Sequence, residues 1–168
     1  MTKETVIDFL RHGEPEGGRR YRGDTVDDPL SEKGWQQMWQ SVGDFVGWDV
    51  IVTSPMQRCS AFAGALAEKL NRTVHVDPGF REVGMGSWEG LSPQEIIERD
   101  PEEYAAFYRD PMNNRPQGCE PLDVFGKRIA DAYELVLTNY PGQHVLIVAH
   151  AGVIRAALGY VLQSDPVA

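Results

Sequence analysis

Arg11 and His12 stand together at the end of a short apolar run, Ser54 and Arg58 follow a second such run, and His150 follows a third. Planar guanidinium forks match the oxygens of a phosphoryl group, and a neutral imidazole is nucleophilic at neutral pH. Taken one at a time these residues have plainer readings. A lone histidine is usually a hydrogen-bonded core or surface group, and Arg58 could sit on a helix surface. Taken together, after three separate apolar runs, they are the residue types that bind a small anion and attack it.

The runs before them read as strands. Val6 to Leu10 is β-branched and aromatic, Asp49 to Thr53 and Thr73 to Val76 repeat that character, and His144 to Val148 closes the series. Helices fall between. Ser31 is placed to cap one in which Trp35, Met38, Trp39, Val42 and Val46 recur at helical spacing. Ser54-Pro55-Met56-Gln57 reads as a capping box opening a helix to about Leu70, and Ser92-Pro93-Gln94-Glu95 and Asp100-Pro101-Glu102-Glu103 open two more. A helix over Leu122 to Thr138 and one over Gly152 to Leu162 complete the set.

Strands alternating with helices predict a three-layer α/β/α sandwich with a mainly parallel central sheet. Residues 92–121 form a small helical insertion over the active site, within one domain spanning 1–168. In open α/β sheets ligands bind at the carboxyl ends of the strands. That rule brings three segments distant in sequence to one place.

Of 168 residues, 42% are hydrophobic and 24% charged, the make-up of an ordinary globular chain. The net charge of −9 repels nucleic acid and anionic lipid alike, so neither is an expected partner. Against that background residues 11–22 carry Arg11, Arg19, Arg20 and Arg22 but only Glu14 and Glu16, a local net +2 that suits a small anion. Cys59 and Cys119 lie far apart without a C-x-x-C, which fits a reducing cytoplasm. The opening MTKETVIDFL has only a short apolar run broken by Asp8, so no signal peptide is expected, and His150 and Arg155 interrupt the longest apolar stretch. The oligomeric state is open, a homodimer included.

Rival phosphate chemistries fail on residue types. Gly13 to Arg20 reads G-x-x-x-x-G-R-R, with arginine for the phosphate-binding lysine and no hydroxyl for magnesium, which argues against a Walker-type NTPase. Cysteine-based phosphatases need C-x5-R, but Ala65 and Phe125 stand six positions after Cys59 and Cys119. No G-x-S-x-G elbow surrounds Ser87. No carboxylate pair or histidine cluster has metal-ligand spacing, and His144, at a strand start, should point away from His150, so neither metal nor cofactor is expected.

Leu10-Arg11-His12-Gly13-Glu14, Ser54-Pro55-Met56-Gln57-Arg58, Phe80-Arg81-Glu82 leading into Gly86-Ser87-Trp88-Glu89-Gly90, and Ala149-His150-Ala151-Gly152-Val153-Ile154-Arg155 occur in that order. In order and spacing the set closely resembles the histidine phosphatase superfamily, also called phosphoglycerate-mutase-like, over essentially the whole chain. Gly18-Arg19-Arg20-Tyr21-Arg22-Gly23, the string from Asp49 to Pro55, and Pro116 to Pro121 are similar to the α-ribazole phosphatase branch, whose members remove a 5′-phosphate during cobalamin assembly.

The resemblance implies that His12 takes the phosphoryl group as a phosphohistidine and that Glu82 is the acid that protonates the leaving oxygen. Arg11 and Arg58 would hold the phosphoryl oxygens, and His150, if protonated, would add a third cation. Arg19, Arg20, Tyr21 and Arg22 are placed to close over the substrate, while Glu14 and Glu89 are read as anchors for the loops. The expected activity is hydrolysis of a small phosphorylated metabolite, α-ribazole 5′-phosphate first. Three other readings compete. Mutases of the superfamily carry a threonine and an asparagine where this chain has Pro15 and Gly18. Phosphohistidine protein phosphatases generally lack the insertion and the acid. A non-catalytic phosphate-binding module would have lost one of Arg11, His12, Arg58, Glu82 and His150, and all are present.

Overall fold

Val50-Ile51-Val52 and the run from Val145 to Ala149 are apolar on both faces and wholly buried, which a sheet tolerates only when helices cover both sides. They belong to β2 (Val50–Thr53) and β4 (His144–Ala149), the two inner strands of a four-stranded sheet whose outer strands are β1 (Val6–Arg11) and β3 (Thr73–Val76). The order is β1-β4-β2-β3 and every pairing is parallel. The structure is a computed structural model and describes residues 3–163; the two ends of the expected 1–168 domain lie outside the described residues.

Alternation along the inner strands sends side chains to two cores. Ile51, Leu146 and Val148 face α1 (Glu32–Val42) and α2 (Gln57–Leu70), packing on Met38, Val42, Phe62 and Leu66. Val50, Val52, Val145 and Ile147 face α5 (Leu122–Asn139) and α6 (Ala151–Leu162), meeting Phe125, Ile129, Val136 and Val153. Each such side chain, fully withdrawn from water, stabilises the fold by about 1.5–3 kcal/mol. The result is the three-layer sandwich with a parallel sheet.

Two short helices, α3 (Pro93–Arg99) and α4 (Pro101–Arg109), form the insertion. Ser92 and Glu95 make a reciprocal capping box, and the Asp100 side chain accepts from the Glu103 amide to start the second helix. The insertion is seated by its own apolar cluster, in which Trp88 and Ile96 pack with Tyr21, Tyr104 and Phe107. The Trp88 indole N–H donates to Glu103 at 2.9 Å.

Two helix boundaries differ from the sequence pattern. The α1 helix ends at Val42, because Gly43 takes a left-handed φ of 52° and returns its N–H to the Trp39 carbonyl, so Val46 lies beyond the helix and is exposed. Ser54 does not cap α2. That helix begins at Gln57 with Met56 at the cap position and no side-chain cap; the Ser54 hydroxyl accepts the Met56 N–H at 3.3 Å, outside the helix, and also bonds His150. No described helix is long and apolar enough to cross a membrane.

Candidate active site

The strand register assembles the site. Arg11 pairs with Ala149 and Thr53 with Val148, so the next residues, His12, Ser54 and His150, leave three adjacent strands side by side. Two ladder bonds continue past the strand ends: the His12 N–H donates to the Ala149 carbonyl and the Ser54 N–H to the Val148 carbonyl, each at 3.0 Å. Helix α6 starts immediately after His150 and α2 shortly after Ser54.

His12 Nδ1 lies 2.8 Å from the Gly13 carbonyl. A carbonyl only accepts, so Nδ1 carries the proton and Nε2 keeps its lone pair. Burial, followed by the charges of Arg58, Arg11 and Arg22, pushes the pKa down to about 4, against the raising effect of the Gly13 bond. The ring is therefore neutral and nucleophilic at physiological pH. Close packing fixes its backbone, since a Cβ on Gly13 would come within 2.2 Å of the Gly34 carbonyl oxygen.

Arg58 is fully buried. Its Nη1 and Nη2 donate to the Val26 and Gly23 carbonyls, each at 2.9 Å, and its Nε is buried with no partner. Neutral carbonyls leave the charge uncompensated, and burial lowers the guanidinium pKa from its ordinary value. A buried cation without a counter-ion is costly, and an anion in the adjoining cavity would relieve that cost. Arg11, exposed at the same cavity, makes no ion pair with any described residue.

His150 is fully buried, with Nε2 2.7 Å from the Ser54 hydroxyl and its ring edge-on to His12 at 5.2 Å. Burial first, then Arg58, pushes its pKa down to about 2, so it is neutral here rather than a third cation. His150 is not on the wall of the cavity that His12, Ala151 and Gly152 line, so the expected contact with substrate is not seen.

Glu82 accepts the Val83 N–H on Oε1 at 3.0 Å and the Gly152 N–H, in the first turn of α6, on Oε2 at 3.2 Å. Burial raises its pKa against those bonds and the charges of Arg58 and Arg11, so it holds a proton to higher pH than an exposed glutamate. Residue 152 has to be glycine for this approach, because a Cβ there would lie 2.3 Å from Glu82 Oε1.

Arg11, His12, Arg58 and Glu82 line one cavity of about 850 Å³, with Arg19, Arg20, Tyr21 and Arg22 also on its wall. Arg22 spends its donors within its own loop: Nη2 reaches the Glu16 and Gly18 carbonyls at 2.6 and 2.8 Å, and Nε reaches Asp28 at 2.9 Å. Arg20 binds the Gly17 carbonyl through Nε and Nη2. Arg19 is exposed. The Tyr21 hydroxyl bonds that of Tyr108 on α4, tying loop to insertion. Glu14 pairs with Lys33 at 2.7 Å, Glu89 accepts from the Met85 and Thr25 amides, and Glu120 pairs with Arg128 at 2.7 Å.

Arg22→Ala is expected to lower stability by about 1–3 kcal/mol through these lost bonds and to reduce turnover of all substrates alike. A change in relative substrate preference with unaltered Tm would instead place Arg22 on the substrate.

Sequence reasoning missed Gly152, Phe107 and Tyr108, and it read the role of Ser54 wrongly. Ser54 was visible at a strand end, but its resemblance to a helix cap concealed its bond to His150. The Gly152 amide becomes a partner of Glu82 only through the packing of α6. Phe107 and Tyr108 reach the cavity because α4 folds over it, and nothing local in the sequence marks them. Among the described residues no group of three His, Cys, Asp or Glu side chains is arranged to hold a metal ion.

The family model for the histidine phosphatase superfamily (branch 1) matches residues 7–168. A bifunctional protein of Mycobacterium tuberculosis is 33% identical over 95% of this chain, which spans only 45% of that protein's length. Phosphoserine phosphatase 1 of Hydrogenobacter thermophilus is 30% identical, covering 88% of this chain and 72% of its own. The adenosylcobalamin/α-ribazole phosphatase of Salmonella typhimurium is 27% identical, covering 92% and 78%. Among solved structures, Bacillus stearothermophilus YhfR superposes with a TM-score of 0.85 at 28% identity, covering 96% of this chain and 81% of that one.

Proposed function

From a chain that belongs to the histidine phosphatase superfamily (branch 1), we propose a phosphomonoesterase that works through a phosphohistidine on His12. One observation carries the reading: a neutral imidazole with Nδ1 pinned and Nε2 free shares a cavity with Arg11, the uncompensated Arg58 and the half-buried acid Glu82. The His12 Nε2 lone pair forms the bond to phosphorus while the ester P–O bond breaks, and Glu82 gives its proton to the departing oxygen. Arg11 and Arg58 hold the phosphoryl oxygens through the loose transition state. In the second half Glu82 takes a proton from water, whose oxygen attacks phosphorus as the P–N bond breaks. This returns His12 neutral and Glu82 protonated. His150, bonded to Ser54, packs edge-on against the His12 ring.

The finer reading takes α-ribazole 5′-phosphate as substrate in a cytoplasmic enzyme, with residues 1–168 as one histidine-phosphatase domain. The Salmonella relative, the Gly18–Gly23 string and the free thiols of Cys59 and Cys119 support it. The Hydrogenobacter relative makes phosphoserine the competing substrate. Purified protein offered both compounds, with 3-phosphoglycerate and p-nitrophenyl phosphate beside them, should show its highest kcat/KM for α-ribazole 5′-phosphate. A preference for phosphoserine would reassign the substrate, and inertness toward all four would remove the phosphatase reading.

Arginine charge suffices for the phosphoryl group in this proposal, so the reaction is metal-independent. Exhaustive chelation should leave kcat within about twofold. Loss on chelation with recovery on added magnesium would overturn this.

A further inference from the structure

A second cavity of about 900 Å³ lies between the end of α4, α5 and α6. It shares Val83, Met85, Phe107, Gly152 and Arg155 with the catalytic cavity, while Arg11, His12 and Arg58 line only the first. Glu82 stands at the junction: Val83 follows it in sequence and Gly152 donates to its carboxylate. Displacement at phosphorus is in line, so the leaving oxygen departs on the side opposite His12, where the acid must be. The path of the leaving alcohol therefore runs from Glu82 past Val83 and Gly152 into the second cavity.

The geometry points to a leaving-group subsite in that second cavity, built for an alcohol with an aromatic or branched aliphatic body. Beyond the shared residues its wall carries Leu122, Phe125, Ala156 and Leu158. Its charged lining residues are Arg155, Arg115, Asp123 and Lys127. Arg155, at the mouth common to both cavities, makes no ion pair with any described residue. Arg115, also on the wall, lies over the Phe107 ring at 5.9 Å and keeps a guanidinium charge at that end of the cavity. Continuity with the catalytic cavity at the proton donor assigns the subsite to the substrate itself, and the inference rests on the phosphatase reading.

Ethyl phosphate and 2-phenylethyl phosphate both release primary alcohols, so they differ in the body and hardly in the chemistry. The phenylethyl ester should have kcat/KM at least about tenfold higher, mostly through KM, as burial of a ring in an apolar pocket requires. Gly126 lines only the second cavity, and a Cβ there meets nothing within 4 Å, so Gly126→Phe starts into open space, and its Tm is compared with that of the unsubstituted protein first. It should erase the advantage and leave ethyl phosphate turnover unchanged. Leu158→Glu, at a lining position already 54% exposed, should do the same with no cost to the core. Equal kcat/KM for the two esters, or an advantage that survives both variants, would overturn the subsite while the phosphatase reading stands. Failure to turn over either ester or p-nitrophenyl phosphate would remove both.

Discussion

His12→Ala should abolish turnover, with a loss of at least about 10⁴-fold, the scale seen when a covalent nucleophile is removed from an otherwise intact site. Rapid quenching of the unsubstituted protein with a ³²P-labelled ester should trap an acid-labile, base-stable label, and the variant should trap none. Nothing in the fold forbids the substitution, since the ring makes one hydrogen bond, to the adjacent Gly13 carbonyl. An unchanged Tm would confirm that chemistry rather than structure was lost. The lowered pKa adds a second readout. With His12 neutral down to about pH 4, phosphorylation from an aryl ester should not lose its nucleophile between pH 7 and 5, as an ordinary histidine would near 6.5. Equal labelling of the alanine variant would move the covalent site elsewhere, and His150, edge-on to His12, is the first place to look.

The parts of this site that could be read from sequence are those set by backbone pattern. Strands Val6–Arg11, Val50–Thr53 and His144–Ala149 are β-branched runs, and polar residues placed directly after them must emerge at one sheet end if the sheet is parallel. His12, Ser54 and His150 follow from that rule alone. What tertiary packing decides stayed hidden. The protonation state of His150 depends on burial beside Arg58, and its type gives no sign of that. Arg22 is chemically identical to Arg19, yet one staples a loop and the other is exposed, a difference fixed by where the Glu16 and Gly18 carbonyls turn. The Ser54 cap failed for a related reason: α2 starts only at Gln57, so the hydroxyl accepts the Met56 N–H ahead of the helix and bonds a buried imidazole 2.7 Å away, a partner that only tertiary packing supplies.

Glu82→Gln is the substitution that separates acid catalysis from the rest of the machinery. A departing alkoxide is strongly basic and needs its proton as the bond breaks, whereas p-nitrophenolate leaves almost unaided. Loss of the acid should therefore slow the first turnover of alkyl phosphates by about 10²- to 10⁴-fold and that of p-nitrophenyl phosphate far less. The amide keeps the size of the side chain, but only one of its two terminal atoms accepts, so either the Val83 or the Gly152 N–H loses its partner. That costs about 1–3 kcal/mol, to be checked in the Tm before the rates are compared. Steady-state rates would mislead, because the same carboxylate is cast as the base that activates water and dephosphorylation should slow for every substrate. The burst of the first turnover isolates the acid step. Equal first-turnover losses for the two leaving groups would show that Glu82 is not the acid. The test would then pass to Glu14, Glu89 and Glu120, each of which is engaged with a cation or backbone amides in this structure.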